Sequence, residues 1–233
     1  MKKYELTSNF KTHLGCKLFQ IRALISFGNV EAGDLGGWIE SEDNLAQDNG
    51  AWVYGNAEVY GNARVYGNAE VYGNAEVYGN AEVSGNARVS GNAEVSGNAE
   101  VSGNARVYGN ARVYGNAEVS GNAEVYGNAR VSGNAWVYGN ARVYGNARVS
   151  GNAWVSGNAE VLWISRIGSR NGTTTFFKTR AGIGVTCGCF SGTIDEFAEQ
   201  VEKTHGDNEH GRAYKLAIEL AKLRIPAGEE DEK

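Results

Sequence analysis

From Val53 to Glu160 apolar and polar positions follow a six-residue rule without a slip, Val-[Tyr/Ser]-Gly-Asn-Ala-x, eighteen times in succession. A fixed short period marks a solenoid, in which each unit can bury its apolar side only against its neighbours. Ala and Val stand two apart, so in an extended segment both side chains face inward while x, between them, faces out. Gly-Asn follows at once, the pair best able to take left-handed backbone angles at a corner. Each hexapeptide therefore predicts a short strand and a corner. Three of them close a triangular coil, and coils stack through parallel ladders. Six regular coils at a spacing of about 4.8 Å make a rod roughly 29 Å long. Its core is narrow and built of small residues, so backbone ladders and stacked Asn and Tyr side chains must carry much of the cohesion. Both ends leave open edges that need caps.

The flanks break the period. Residues 1–46 read as an N-terminal β cap, with 17–27 strand-like and Tyr4 to Thr7 its hairpin partner. Within 33–40, Leu35 and Ile39 are expected to take the Val and Ala registers of a degenerate first coil. The solenoid proper is assigned to 47–164. Beyond it, 173–179 and 183–190 read as strands, with turns at Asn171-Gly172 and Ala181-Gly182. Thr193-Ile194-Asp195-Glu196 is a capping box opening a helix to about His205. Residues 209–224 carry Ala213, Leu216, Ala217, Leu220 and Leu223 at helical spacing. This makes 165–226 a small α+β domain, a meander followed by two helices. Residues 227–233 form an acidic tail expected to be disordered.

The run resembles the left-handed parallel β-helix of the hexapeptide-repeat proteins, with Val in the aliphatic slot and Ala in the small one of every unit. Over roughly 1–160, the segments Ile21-Arg22-Ala23-Leu24, Ala32-Gly33-Asp34-Leu35-Gly36-Gly37-Trp38-Ile39 and Ala51-Trp52-Val53-Tyr54 look like the N-terminal part of such proteins from enteric bacteria and phages. Those proteins are often labelled transferases, a label that rests on the repeat. The C-terminal domain is similar to segments of uncharacterised phage proteins. The resemblance implies an all-β solenoid of left-handed hand and a phage or prophage origin. It also raises acyl transfer, with a His general base and coenzyme A held between subunits.

Residues 18 apart stack, so the outward positions sort into three rows. One carries Glu58, Glu76, Glu94, Arg112, Arg130 and Arg148, three acids and then three bases, beside a corner row of Tyr54, Tyr72, Ser90, Tyr108, Tyr126 and Tyr144. Set antiparallel on a copy of itself, this face pairs Glu58 with Arg148, Glu76 with Arg130 and Glu94 with Arg112, as a two-fold interface requires. An antiparallel homodimer is the expectation. A second row ends in Trp136 and Trp154, an exposed aromatic pair that needs cover. The expected cover is the 165–226 domain folding back.

Net charge is −5 with no basic stripe, which argues against nucleic acid as a direct partner. No apolar run follows the N-terminus, so neither a membrane span nor a secretory signal is visible, and Cys16, Cys187 and Cys189 are too few for a disulfide framework. The chain reads as cytoplasmic. Acyl transfer meets a repeat run without a single His, which leaves His13 in the cap as the only base that could serve. Cys187 and Cys189 on one strand face, with His205 and His210 at a helix junction, offer a zinc ligand set, although the spacing departs from common fingers and the expectation is no cofactor. Gly168-Ser169-Arg170-Asn171-Gly172 could cradle an anion through its N–H groups and Arg170, with His205 and His210 nearby, against the plainer reading of a hairpin turn. The sequence thus points to a non-enzymatic scaffold presenting a C-terminal recognition domain. Acyl transfer and the sequestering of a host metabolite or defence factor stand as alternatives.

Overall fold

The computed structural model describes residues 2–226. Within them the repeat run is a β-solenoid whose two-residue rungs, from Trp52–Val53 to Trp154–Val155, stack in three parallel sheets. Each rung joins the x of one hexapeptide to the Val of the next, and rungs 18 residues apart pair in register, as Glu100–Val101 does with Glu82–Val83 and with Glu118–Val119. Every repeat Val is buried, and so is every repeat Ala except Ala159, which is exposed in the last unit where the coil gives way to the C-terminal sheet.

Three backbone donors per hexapeptide reach the next coil. Glu100 N–H donates to Ala117 O at 2.9 Å, Ser102 to Val119 O at 2.9 Å, and Asn104 to Gly121 O at 2.7 Å. The last of these explains the glycine. At Gly85 φ is +65°, and a Cβ there would lie 2.9 Å from the backbone N and O of Gly103 in the next coil, so the corner excludes any side chain on both grounds. Beside each glycine the Asn side chains form ladders, Asn80 Nδ2 donating to Asn98 Oδ1 at 2.9 Å and Asn98 Nδ2 to Asn116 Oδ1 at 3.0 Å. Tyrosines stack as well, Tyr60 on Tyr78 and Tyr108 on Tyr126 on Tyr144.

The solenoid starts earlier than its repeats. Strand β1 (Tyr4–His13) pairs antiparallel with β2 (Cys16–Ala23), and β2 with β3 (Leu35–Ile39). Trp38–Ile39 of β3 then pairs parallel with Glu58–Val59, and Leu45 bridges to Val65. Trp38–Ile39, Leu45 and Trp52–Val53 are therefore a complete first turn, which brings the total to about seven. The register differs from expectation. Ile39 takes the Val slot and Gly37 the Ala slot, where a Cβ would strike Ala57 O and Val53 Cγ1 at 2.7 Å, while Leu35 lies outside the stack and exposed. Above this turn sits a polar plug. Lys3 is buried and its Nζ donates to Ala51 O at 2.9 Å and Asp48 O at 3.1 Å, and burial lowers its pKa to about 8.

At the other end the repeat gives way to a four-stranded antiparallel sheet, Val161–Ile167, Gly172–Thr179, Gly182–Cys187 and Phe190–Thr193. Helices α1 (Ile194–His205) and α2 (Glu209–Arg224) pack on it. The capping box is formed, with Glu196 N–H donating to Thr193 Oγ1 at 3.2 Å and Thr193 N–H to Glu196 Oε2 at 2.8 Å. Two local expectations change. Gly188, at φ +60°, turns the chain inside the expected 183–190 strand, so Cys189 falls in an exposed turn. Helix α2 buries Gly211, Tyr214, Ala217, Ile218 and Ala221, whereas Leu216, Leu220 and Leu223 face outward. Close approach shows at the start of the helix, where a Cβ on Gly211 would meet Gly206 O at 2.1 Å, and Tyr214 and Ile218 fill the inner face beyond it.

This domain also caps the rod. The Gly172–Thr179 strand crosses the last coil, with Phe177 in the solenoid core and Arg148 N–H donating to Thr175 Oγ1 at 2.9 Å. Glu160 is the clasp. Its carboxylate accepts from the Ser156 and Gly157 N–H groups and from Lys178 Nζ at 2.9 Å. Burial alone would raise its pKa, but these donors outweigh burial and hold it below the ordinary carboxylate range. Residues 227–233, read above as a disordered tail, lie outside the described residues.

Candidate functional site

The same crossing builds a groove on one rod face. Outward positions there run Arg64, Glu82, Glu100, Glu118, Trp136 and Trp154, held in line by the in-register rungs. The two indoles stack at 4.7 Å, and Tyr138 meets Trp154 edge-on at 5.3 Å. Ala153 bridges to Thr179 of the crossing strand, and the turn that follows lays the Arg180 guanidinium 4.0 Å from the Trp154 ring centre and 5.8 Å from that of Trp136. A cation over an indole face is attractive in its own right. It also fixes the turn against the rod.

Between this aromatic stack and the C-terminal domain lies a cavity of about 850 Å³. Asn134 and Asn152 line it from the rod, Phe177 and Ile183 from the sheet, and Asp195 and Glu196 from the first turn of α1. Asp195 faces Lys222 at 3.4 Å, and Glu196 is engaged in the capping box. Next along the row from Trp136, Glu118 has a raised pKa, from burial first and from the stacked Glu100 second. The site therefore offers indole edges, two amides, a guanidinium and carboxylates around a partly apolar floor.

The other candidate residues fall elsewhere. Ser169, Arg170 and Asn171 occupy a tight exposed turn in which Asn171, at φ +48°, donates its N–H to Gly168 O at 3.1 Å. That turn meets His205 only through Tyr214: a Cβ on Gly168 would collide with the Tyr214 hydroxyl, and the Tyr214 ring lies 5.7 Å from His205. His205 and His210 are 5.9 Å apart, ring to ring. Cys187 accepts from Thr174 Oγ1 at 3.1 Å and lies 3.5 Å from the Tyr214 hydroxyl, and burial followed by this contact raises the Tyr214 pKa. Cys189 is exposed on its turn. Among the described residues no three His, Cys, Asp or Glu side chains gather in a way that could hold a metal ion.

On the charged face both ends are engaged by the chain's own caps. Lys11 binds Glu58 at 2.7 Å, and His13 lies 3.4 Å from Glu58 and 3.7 Å from Glu76. At the far end Trp163 packs edge-on to Tyr144 at 4.2 Å. In the middle Arg112 turns back on Glu94 of its own chain at 2.8 Å. Arg130 and Arg148 keep the order expected from the sequence, but the hairpin occupies the place that a copy's Arg148 would take beside Glu58. The tyrosines expected beside this row, Tyr54, Tyr72, Tyr108 and Tyr126, follow the neighbouring face instead, Tyr72 and Tyr108 lining a hollow with Arg88 and Arg106, while Tyr60 donates its hydroxyl to Glu76 at 3.1 Å. His13, the base considered for acyl transfer, sits between Glu58 and Glu76 with its Nε2 buried and without a hydrogen-bond partner.

Sequence reasoning reached the tryptophans and missed Arg180. A lone Arg in a turn carries no signal of its own, because its role depends on where the domain docks. A family model described as the YdcK beta solenoid repeat matches residues 57–73, 81–97, 99–113, 105–121, 123–139 and 141–157. No curated protein matches the chain. With the ladders above, that match makes the chain a β-solenoid repeat protein. Among the described residues no helix is long and apolar enough to cross a membrane.

Proposed function

We propose that the chain is a non-enzymatic binding protein, a stiff solenoid scaffold that takes its ligand in the groove between its last coils and the domain docked on them. The groove itself carries the reading. Its volume of about 850 Å³ falls in the range of small-molecule sites, and such sites favour domain junctions. Indole edges with amides, carboxylates and a guanidinium suit a hydroxyl-rich ligand with one apolar face, a saccharide. Arg180, resting on Trp154, is the group such a ligand draws onto itself. If the ligand is instead a host metabolite that a phage protein withholds, Arg180 rather than Arg170 retains it.

The test is a saccharide array probed with the full chain, followed by tryptophan-fluorescence titration of the hits. A true ligand shifts the indole emission, and W154A or R180A weakens it about tenfold or more, as truncation of a buried anchor does. R170A leaves it unchanged. A hit indifferent to W154A and R180A places binding outside the groove and sinks the reading.

A further inference from the structure

Helix α2 shows the solvent a stripe that its own fold does not use. Leu216, Leu220 and Leu223 are 72%, 43% and 83% exposed, and they stand at i, i+4 and i+7, with Ala213 one step before them. That is the a/d spacing of a coiled-coil seam, two heptads long. The core face of the same helix is already filled by Tyr214, Ala217, Ile218 and Ala221, so the stripe is additional to the fold. Contiguous exposed leucines on a helix mark a contact surface.

The charges beside the stripe indicate what it contacts. Lys215 and Lys222, on the flank nearer the core, are paired at home with Asp207, Glu202 and Asp195. Among the described residues neither Glu219 nor Arg224 makes an ion pair within the chain, and these two border the leucines on opposite sides. With Leu216 and Leu223 at d and Leu220 at a, Glu219 is a g position and Arg224 the e position five residues on. In a parallel pair of helices g faces e of the partner, so two copies of α2 side by side form two Glu219–Arg224 pairs. Antiparallel packing that aligns the leucines instead brings Glu219 near Glu219. The residues after Pro226 include Glu229, Glu230, Asp231 and Glu232 and a single apolar side chain, Ala227, so they do not fit the stripe.

We infer that α2 is a parallel self-association helix, joining two copies of the chain through Leu216, Leu220 and Leu223. The contact spans one short helix, less than the ~1,200 Å² of a stable interface, so the pair is weak and concentration-dependent. Leu216, Leu220 and Leu223 are not among the residues that line the groove.

Sedimentation equilibrium of the full chain from about 1 µM to about 200 µM tests it. The wild type passes from monomer to dimer, and L216E/L223E, at positions already in water, stays monomeric with an unchanged far-UV spectrum. E219R and R224E each weaken association about tenfold, and E219R/R224E together return it to within about threefold. L223C in a C189S background cross-links under mild oxidation, because parallel d positions meet themselves. A monomer throughout the range overturns the inference. So does a dimer indifferent to L216E/L223E, one that R112E/R130E/R148E dissolves instead, single reversals without effect, or a persistent dimer that L223C fails to cross-link.

Discussion

The rod's repeats fill their core with valine and alanine alone, whereas the C-terminal domain closes on Phe176, Phe197, Tyr214 and Ile218, with rings meeting at steep angles. In the rod each unit contacts only its neighbours, so cohesion is a sum of like terms. In the domain a few large side chains touch everything. The two cores are adjacent but separate, with Phe176 in the domain's core and Phe177, its neighbour in sequence, in the rod's. Alternation along one strand thus serves two cores at once. The rod supplies length and a straight face, while the domain supplies the irregular features, Arg180, the α1 capping turn and the α2 stripe, from which a site can be made.

The largest effect that separates the two is F176A. Removing a fully buried Phe should cost about 3–5 kcal/mol, and in a core this small the loss falls on the whole domain. Hydrogen exchange should show 161–226 losing protection while rungs up to about Val131 keep theirs. By contrast V101A, which costs about 2 kcal/mol by lost burial, should loosen only the adjacent coils. If F176A deprotects the entire rod, the two parts are one cooperative unit and the comparison fails.

Next in size is the Asn ladder. Asn98 has a ladder partner on each side, Asn80 and Asn116, while Asn56 at the end has only Asn74. At about 1 kcal/mol per bond, N98A should cost about twice what N56A does. Equal costs in urea titration would mean that the corner backbone, not the ladder, holds the coils together.

This contrast also explains what could be read from the sequence. Period six, with Val and Ala two apart, fixes strand, corner and register in 53–160, because every position meets a copy of itself one coil on. The first turn is harder. Gly37 and Ile39 fill the slots that Leu35 and Ile39 were expected to fill, since at Gly37 the Ala57 carbonyl and Val53 side chain leave no room for a Cβ. In α2 the spacing of the leucines identifies a helix but not its inner face, which Tyr214 and Ile218 take together with Gly211, Ala217 and Ala221. The groove was half legible. Two stacked tryptophans announced a covered surface, while Arg180 acquires its role only from the docking of the Gly172–Thr179 strand over the last coil.

Acid tests the seam between the regions. Glu160 has its pKa depressed in the folded chain by the Ser156 N–H and by Lys178, against the opposing effect of burial. A depressed carboxylate stabilises fully above its unfolded value, about 4.3, and the contribution fades as pH falls through the folded value. Denaturation midpoints should therefore drop below about pH 4.3, and E160Q should flatten that part of the profile. An E160Q profile that overlays the wild type between pH 5 and pH 2 would mean that the clasp does not hold the domain to the rod.

The smallest effect belongs to the surface row. Arg112 meets Glu94 at 2.8 Å, but both side chains are substantially exposed, and an exposed pair contributes at most about 1 kcal/mol. R112A should cost that or less, and the difference should vanish in about 1 M salt, where the screening length is near 3 Å. Glu160 and Lys178, at 2.9 Å, show similar geometry in a far more buried setting, and K178A should cost more and keep most of its cost in salt. The distances of the two pairs are alike, so any difference in salt response reports burial. If R112A proves as costly and as salt-resistant as K178A, the charged row is not a solvated face, and some contact, a second copy included, must be keeping water away from it.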